Sequence, residues 1–187
     1  MDERKWIERI LAGDTQSFSC LVAKYEKMAY IIALRILEKR EEAEEAVQDA
    51  FVKMYRALSD FHFDSKFSTW FYRIVYRTAL TALRQQRMFV SYEEAGPVDL
   101  SNDEVESATA LLEREDRKEM IARTLKKLPA DEALLLTLYY LEECSVEEIC
   151  QITELSASNV KVKLFRGRKR FYEVLQDKMK LETADLL

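Results

Sequence analysis

The stretch Lys66–Arg87, KFSTWFYRIVYRTALTALRQQR, holds five bases (Lys66, Arg73, Arg77, Arg84, Arg87) and no acid, in a chain whose net charge is −5. Five aromatics are interleaved with them: Phe67, Trp70, Phe71, Tyr72 and Tyr76. At helical period the stretch divides into two faces. Arg73, Arg77, Thr81 and Arg84 are four, four and three residues apart and line one of them. Phe67, Phe71, Ile74 and Thr78 share another and can pack inward. Trp70 stands at the N-terminal end with the loop residues Phe61 and Phe63, and at least half of it is expected in the core. Cations that track phosphates, beside rings on which unstacked bases can lie, suit single-stranded nucleic acid. Aromatics at this spacing also serve a core, so the arginine face carries more of that reading than the rings.

The sequence on both sides of this helix is also helical. Gly is 3 and Pro 2 in 187 residues, with 48% hydrophobic and 34% charged, which points to an all-α protein able to bury a core. In FSCLVAKYEKMAYIIALRIL, apolar residues recur at Phe18, Leu21, Val22, Tyr25, Met28, Ala29, Ile32 and Ile36. In REEAEEAVQDAFVKMYRAL they recur at Ala43, Ala46, Val47, Ala50, Phe51, Met54 and Leu58. Three amphipathic helices can therefore share one core. The second is strongly acidic on its outer side, with Glu41, Glu42, Glu44, Glu45 and Asp49, and its charge fits a basic face of a protein rather than DNA.

From Ser91 the character changes. SYEEAGPVDLSNDEVES contains the Gly96–Pro97 breaker and an excess of acids without helical spacing, and residues 91–106 are expected to be a flexible linker. A domain over 1–90 and another over 107–180 follow, with a tail at 181–187. The second domain should begin with a helix ending before Pro129, followed by DEALLLTLYYLE, SVEEICQIT and SASNVKVKLFRGRKRFYEVLQDKM. Ser145 and Glu148 form a capping box, TELS gives a turn of about four residues, and Ser156 or Ser158 can cap the next helix. Short helix, tight turn and long basic helix make a helix-turn-helix. On the last helix Val160, Leu164, Phe171 and Leu175 face inward, while Asn159, Lys161, Val162, Phe165 and Arg166 lie mostly outward near its N-terminal end. From Ser156 to Lys180 there are eight bases, including Lys169, against two acids, a charge suited to phosphates.

Other chemistries are poorly served. His62 is the only histidine, and the three cysteines (Cys20, Cys144, Cys150) form no C-x-x-C pair, so no metal site, no cofactor and no enzyme are expected, and the thiols should be buried. The acidic helix lacks the Glu-x-x-His pairs of a di-iron bundle, since position 59 is Ser. No run is long enough to insert in a membrane, and MDERKWIERI has no apolar core of a secretory signal, so a cytoplasmic location is expected.

AEEAVQDAFVKMYRAL, followed by SKFSTWFYRIVYRTALTALR, resembles conserved region two of bacterial extracytoplasmic-function (ECF) sigma factors of the sigma-70 family. LPADEALLLTLYYLEECSVEEICQITELSASNVKVKLFRGRKR resembles their region four. The resemblance runs from about Phe18 to Arg170, with an acidic linker and no region three between the two. It implies two small helical domains that bring core RNA polymerase to a promoter, with no catalytic residue of their own. By position, Glu45, Gln48 and Asp49 would contact the β′ coiled coil, with Phe51 packing, and region four would meet the β flap. The loop residues Phe61, His62, Phe63, Ser65 and Lys66 match the segment that captures a flipped base of the minus-ten strand. Unstacking the base and pocketing it is the general logic of flipping. Trp70, Arg73, Arg77 and Arg84 follow on the helix that tracks the melted strand. Ser158, Asn159, Lys161, Val162, Phe165, Arg166 and Lys169 fall where the family meets the minus-thirty-five duplex. An anti-sigma factor is the family's usual control.

Three positions depart from the family pattern: Arg77 stands where Asn is usual, Thr81 where Asp is usual, and Glu154 in the turn where Gly is common. The cation at 77 should strengthen backbone attraction, and a minus-ten sequence derived from the family is not carried over to this chain. Two other readings stay open on the residues alone. One is a helix-turn-helix regulator that never joins polymerase, which would need neither the acidic helix nor the strand-binding face. The other is a sigma-like decoy, for which positions 77 and 81 speak.

Overall fold

The structure, a computed structural model, describes residues 3–90 and 112–184; the expected linker 91–106 and residues 185–187 lie outside them. The described residues form α1 (Glu3–Leu11), α2 (Gln16–Leu37), α3 (Arg40–Arg56), a 3-10 turn at Leu58–Asp60, α4 (Phe67–Val90), α5 (Leu112–Lys126), α6 (Ala130–Tyr140), α7 (Val146–Thr153) and α8 (Ala157–Ala184). No strand occurs among them, in line with the all-α expectation.

The first domain is built on α2, α3 and α4, which pack pairwise around one core. Their apolar stripes close on it as the periodicity requires: Leu21, Tyr25, Met28 and Ile32 from α2, Ala46, Ala50, Phe51 and Met54 from α3, Phe67, Phe71 and Val75 from α4. Aromatic rings make the centre, with Phe51–Phe71 at 4.8 Å and Tyr25–Phe67 at 5.3 Å between centroids. Such offset and tilted pairs add about 0.5–1.5 kcal/mol beyond burial. A helix not anticipated from the sequence, α1, lies on α2 through Ile7 and Ile10. Glu3 of α1 accepts from Lys24 and from the Tyr25 hydroxyl.

In the second domain α8 packs on α6, α7 and α5. Gly167 permits the closest approach: a Cβ there would lie 3.2 Å from Leu136 Cδ1 and 3.3 Å from Glu132 Cβ. The capping box forms as expected. The Glu148 amide donates to Ser145 Oγ at 3.1 Å and the Ser145 amide to Glu148 Oε2 at 2.8 Å. Ser156 caps α8, accepting from the Asn159 amide at 3.3 Å. Helix α8 runs on past Lys180 to Ala184, so the first residues of the expected tail are helical; no Gly or Pro stops the helix there.

Cys144 is buried, but Cys20 is exposed, correcting the expectation that all three thiols are buried. Position 20 lies outside the Leu21, Tyr25, Met28, Ile32 stripe of α2. Burial, with Glu148 and Glu142 adding to it, pushes the Cys144 thiol up to about 11.

The tight α6–α8 contact gives a first test. Gly167→Val should lower the stability of the full chain by about 1–3 kcal/mol through overpacking against Leu136. Thermal unfolding checks this, and an unchanged midpoint would mean that α6 can move aside.

Candidate nucleic-acid interface

The core rings that orient α4 leave its opposite side outward. Lys66, Arg73, Arg77, Thr81 and Arg84 are all exposed there, as the spacing predicts. Thr81 contributes no charge, and its hydroxyl donates back to the Arg77 carbonyl at 2.8 Å. At the N-terminal end of α4 the rings pack against one another at tilted angles. Phe61 lies 5.0 Å from Trp70 and 4.8 Å from Phe63. Phe61 itself is only 6% exposed, so it supports the cluster from inside rather than presenting a face. Phe63 is the outer ring, at 40% exposure, with its backbone at φ 61. His62 beside it is exposed, Ser65 is half-buried, and Trp70 is half-buried against the core. The Arg4 guanidinium from α1 sits over the Phe63 ring at 4.9 Å. No sequence signal near the loop pointed to Arg4, because the contact depends on how α1 packs.

On α3, Glu45, Gln48 and Asp49 are all exposed. Val52 and Tyr55 follow them on the solvent side, so the acidic face has an apolar edge that the charge pattern alone did not show.

On α8, Ser158, Asn159, Lys161, Val162, Phe165, Arg166 and Lys169 are exposed, while Val160 and Leu164 are buried. Phe165 is 64% exposed and, with Val162 at 45%, adds apolar surface to the basic N-terminal turns of α8. Two of the eight bases of α8 face elsewhere: Lys163 pairs with Asp131, and Arg170 pairs with the buried Glu132 at 3.2 Å. Those two hold α8 to α6, and the outward charge is correspondingly smaller than the sequence count.

The two domains also meet, with α7 lying on α4. The contacts fall on the strand-binding candidates. Arg77 Nε donates to Glu154 Oε1 at 2.9 Å, and Arg73 reaches the same oxygen at 3.4 Å. Lys66 pairs with Glu148 at 3.0 Å, and Thr69 Oγ1 donates to Glu148 Oε1 at 3.4 Å. The Tyr72 hydroxyl donates to Glu142 Oε2 at 2.7 Å. Hydrogen bonding from Arg77 holds the Glu154 carboxyl below the usual range; burial opposes it, and the charges of Arg77 and Arg73 and a hydrogen bond from Arg73 add to the lowering. Burial pulls the Glu148 carboxyl up, but the Ser145 amide and Lys66 outweigh it and leave it low. Its hydrogen bond to Glu148 raises Lys66.

Sigma-70 region 2 matches residues 21–88, and sigma-70 region 4 matches residues 118–171. The RNA polymerase sigma-H factor of Pseudomonas aeruginosa is 32% identical over 181 residues, 93% of this chain and 94% of that protein. The ECF RNA polymerase sigma-E factor of Escherichia coli is 31% identical over 170 residues, 87% of this chain and 88% of that one. Two solved structures share the fold. The sigma factor RpoE of Bartonella quintana, bound to the anti-sigma factor NepR, has a TM-score of 0.69 at 18% identity, over 87% of this chain and 98% of that one. CnrH in complex with the cytosolic domain of CnrY has 0.60 at 21% identity, over 93% and 97%. The chain belongs to the ECF sigma factors of the sigma-70 family.

The Glu154 carboxyl gives the second test. Its lowered pKa comes from Arg77 and Arg73 across the domain contact. Its share of the contact is therefore present above the ordinary Glu value of about 4.3 and lost as pH falls through the lowered value. The Glu154 carboxyl resonance should titrate below the ordinary range in the native chain and return to it in Arg73→Ala/Arg77→Ala. An ordinary titration in the native chain would show that the pair does not form in solution.

Proposed function

We propose that the chain divides the work of promoter recognition among three faces. The α3 face of Glu45, Gln48 and Asp49, with Val52 at its edge, docks core RNA polymerase on its β′ coiled coil, and the second domain meets the β flap. Phe63, His62, Ser65 and Lys66, supported by Phe61 and Trp70, take a flipped base of the non-template strand. Arg73, Arg77 and Arg84 then track its backbone. The N-terminal turns of α8 read the upstream duplex through Ser158, Asn159, Lys161, Val162, Phe165 and Arg166, with Lys169 on phosphate. The polymerase supplies the chemistry, so the chain itself is not an enzyme.

The observation that carries this reading is the presence, in one chain, of an exposed basic helix and a separate arginine face flanked by a cluster of tilted rings. A duplex-binding regulator needs only the first, and it has no use for the solvent-facing acids and Val52 of α3. Residues 1–90 and 107–180 are the two functional units in this scheme, and the work is done in the cytoplasm. Among the described residues no helix is long and apolar enough to cross a membrane. An anti-sigma partner belongs to the same proposal, and the relative of this fold from Bartonella quintana is seen with one.

The division of labour predicts opposite phenotypes. Lys161→Ala/Arg166→Ala should weaken binding to promoter duplex by roughly tenfold or more and leave association with core polymerase intact, since each lost base contact costs about 1–3 kcal/mol. Gln48→Ala/Asp49→Ala should do the reverse. A band shift on promoter fragments and a pull-down with purified core separate the two, and the opposite pattern would sink the assignment.

A further inference from the structure

We infer that Glu142, Glu148 and Glu154 form a built-in mimic of single-stranded DNA, which occupies the strand-binding face of α4 and holds the two domains closed until a nucleic-acid strand displaces it. The inference rests on the sigma-factor reading of α4 and deepens it.

The three glutamates stand six residues apart along α7 and its flanks; Glu148 and Glu154 lie on the cations of the face, and Glu142 meets α4 beside it. Glu148 holds Lys66 and Thr69. Glu142 accepts from Tyr72. Glu154 takes Arg73 and Arg77 together. Every base from Lys66 to Arg77 on this face thus has a carboxylate partner from the other domain. A phosphate chain would present the same kind of anionic acceptor at the same cations, so the two occupants exclude one another.

The closure centres on Arg77 of α4 and Glu154 at the end of α7, which meet in the closed contact. Glu154 ends α7 in the left-handed region at φ 62. That conformation favours glycine, so glutamate is strained there, and its contact with Arg73 and Arg77 offsets the strain.

The contacts have the strength a reversible device needs. Surface ion pairs are individually weak and are screened by salt. A strand that presents several phosphates at once can displace them. Meanwhile Lys161, Val162, Phe165 and Arg166 stay exposed in the closed form. The duplex can therefore be engaged first, with strand capture following when the glutamates leave.

The test uses the full chain. Glu142→Gln/Glu154→Gly removes two of the three acids and relieves the turn. It should enlarge the radius of gyration in solution scattering and tighten binding to a fluorescent oligothymidine by roughly three- to tenfold, with binding to a short duplex unchanged. Glu154→Arg should open the chain, and adding Arg77→Glu should close it again. Unchanged scattering and strand affinity in the first variant would overturn the proposal, as would a Glu154→Arg chain that the compensating change fails to close. Equal tightening toward duplex and strand would also overturn it, because the glutamates would then act as general repulsive charge. A chain that opens and closes as expected, yet directs no transcription with purified core, overturns the sigma-factor reading and leaves the clamp standing.

Discussion

Phe67 and Phe71 set their rings against Tyr25 of α2 and Phe51 of α3, and this contact fixes the rotation of α4 about its own axis. Everything functional on that helix follows from the rotation. With residues 67, 71 and 75 turned inward, helical geometry forces 73, 77, 81 and 84 outward. The same rings anchor Trp70 and Phe61, which in turn hold Phe63 at the outer edge of the loop. A polar substitution at Phe71 would disturb the core and also unfix the strand-binding face, because a helix without its buried stripe has no preferred orientation.

The second domain achieves the same end with polar contacts. Helix α8 could roll on α6, but Gly167 sits against Leu136 and two ion pairs flank it, Lys163 with Asp131 and Arg170 with Glu132. Asp131 and Glu132 lie in the first turn of α6, where acids are favoured by the helix dipole, so they serve α6 and position α8 at once. The capping box at Ser145 and the left-handed Glu154 then fix where α7 starts and stops, and hence where the exposed turns of α8 begin. The basic helix carries its base-contact candidates outward because other bases on it are used inward.

How much of this the sequence discloses depends on the reach of each interaction. The faces of α2, α3, α4 and α8 were legible because helical period is a local property, and the Ser145–Glu148 box was legible because three residues separate its members. Phe61 was not: its spacing from the helix says that it is near the loop, and only packing says that it is buried beneath Phe63. Lys163 and Arg170 counted as phosphate charge until their partners, 32 and 38 residues away, appeared. Arg4 over Phe63 and the Arg77–Glu154 pair are beyond any local reading, since the second joins residues 77 apart across a domain contact. Glu154 did register as a departure in the turn, but its meaning required the residue opposite it.

The charge balance of the whole chain now has a physical account. A strip of cations on an acidic protein looks contradictory only while the acids are treated as background. In the closed arrangement part of the acid excess lies directly on the strip, so nucleic acid meets an α4 whose Lys66, Arg73 and Arg77 are already paired, on a chain of net charge −5. Long-range attraction to arbitrary DNA is correspondingly poor. Non-specific binding, which is almost wholly a matter of phosphate neutralisation, is suppressed where it would be most wasteful. What stays exposed and free of these cross-domain carboxylates includes the α8 surface proposed to read base edges and the α3 surface, whose acids suit a basic protein. On the proposed scheme, recruitment is biased toward polymerase and duplex sequence, and the generic attraction of Lys66, Arg73 and Arg77 for phosphate is withheld until a separated strand is close enough to compete for it.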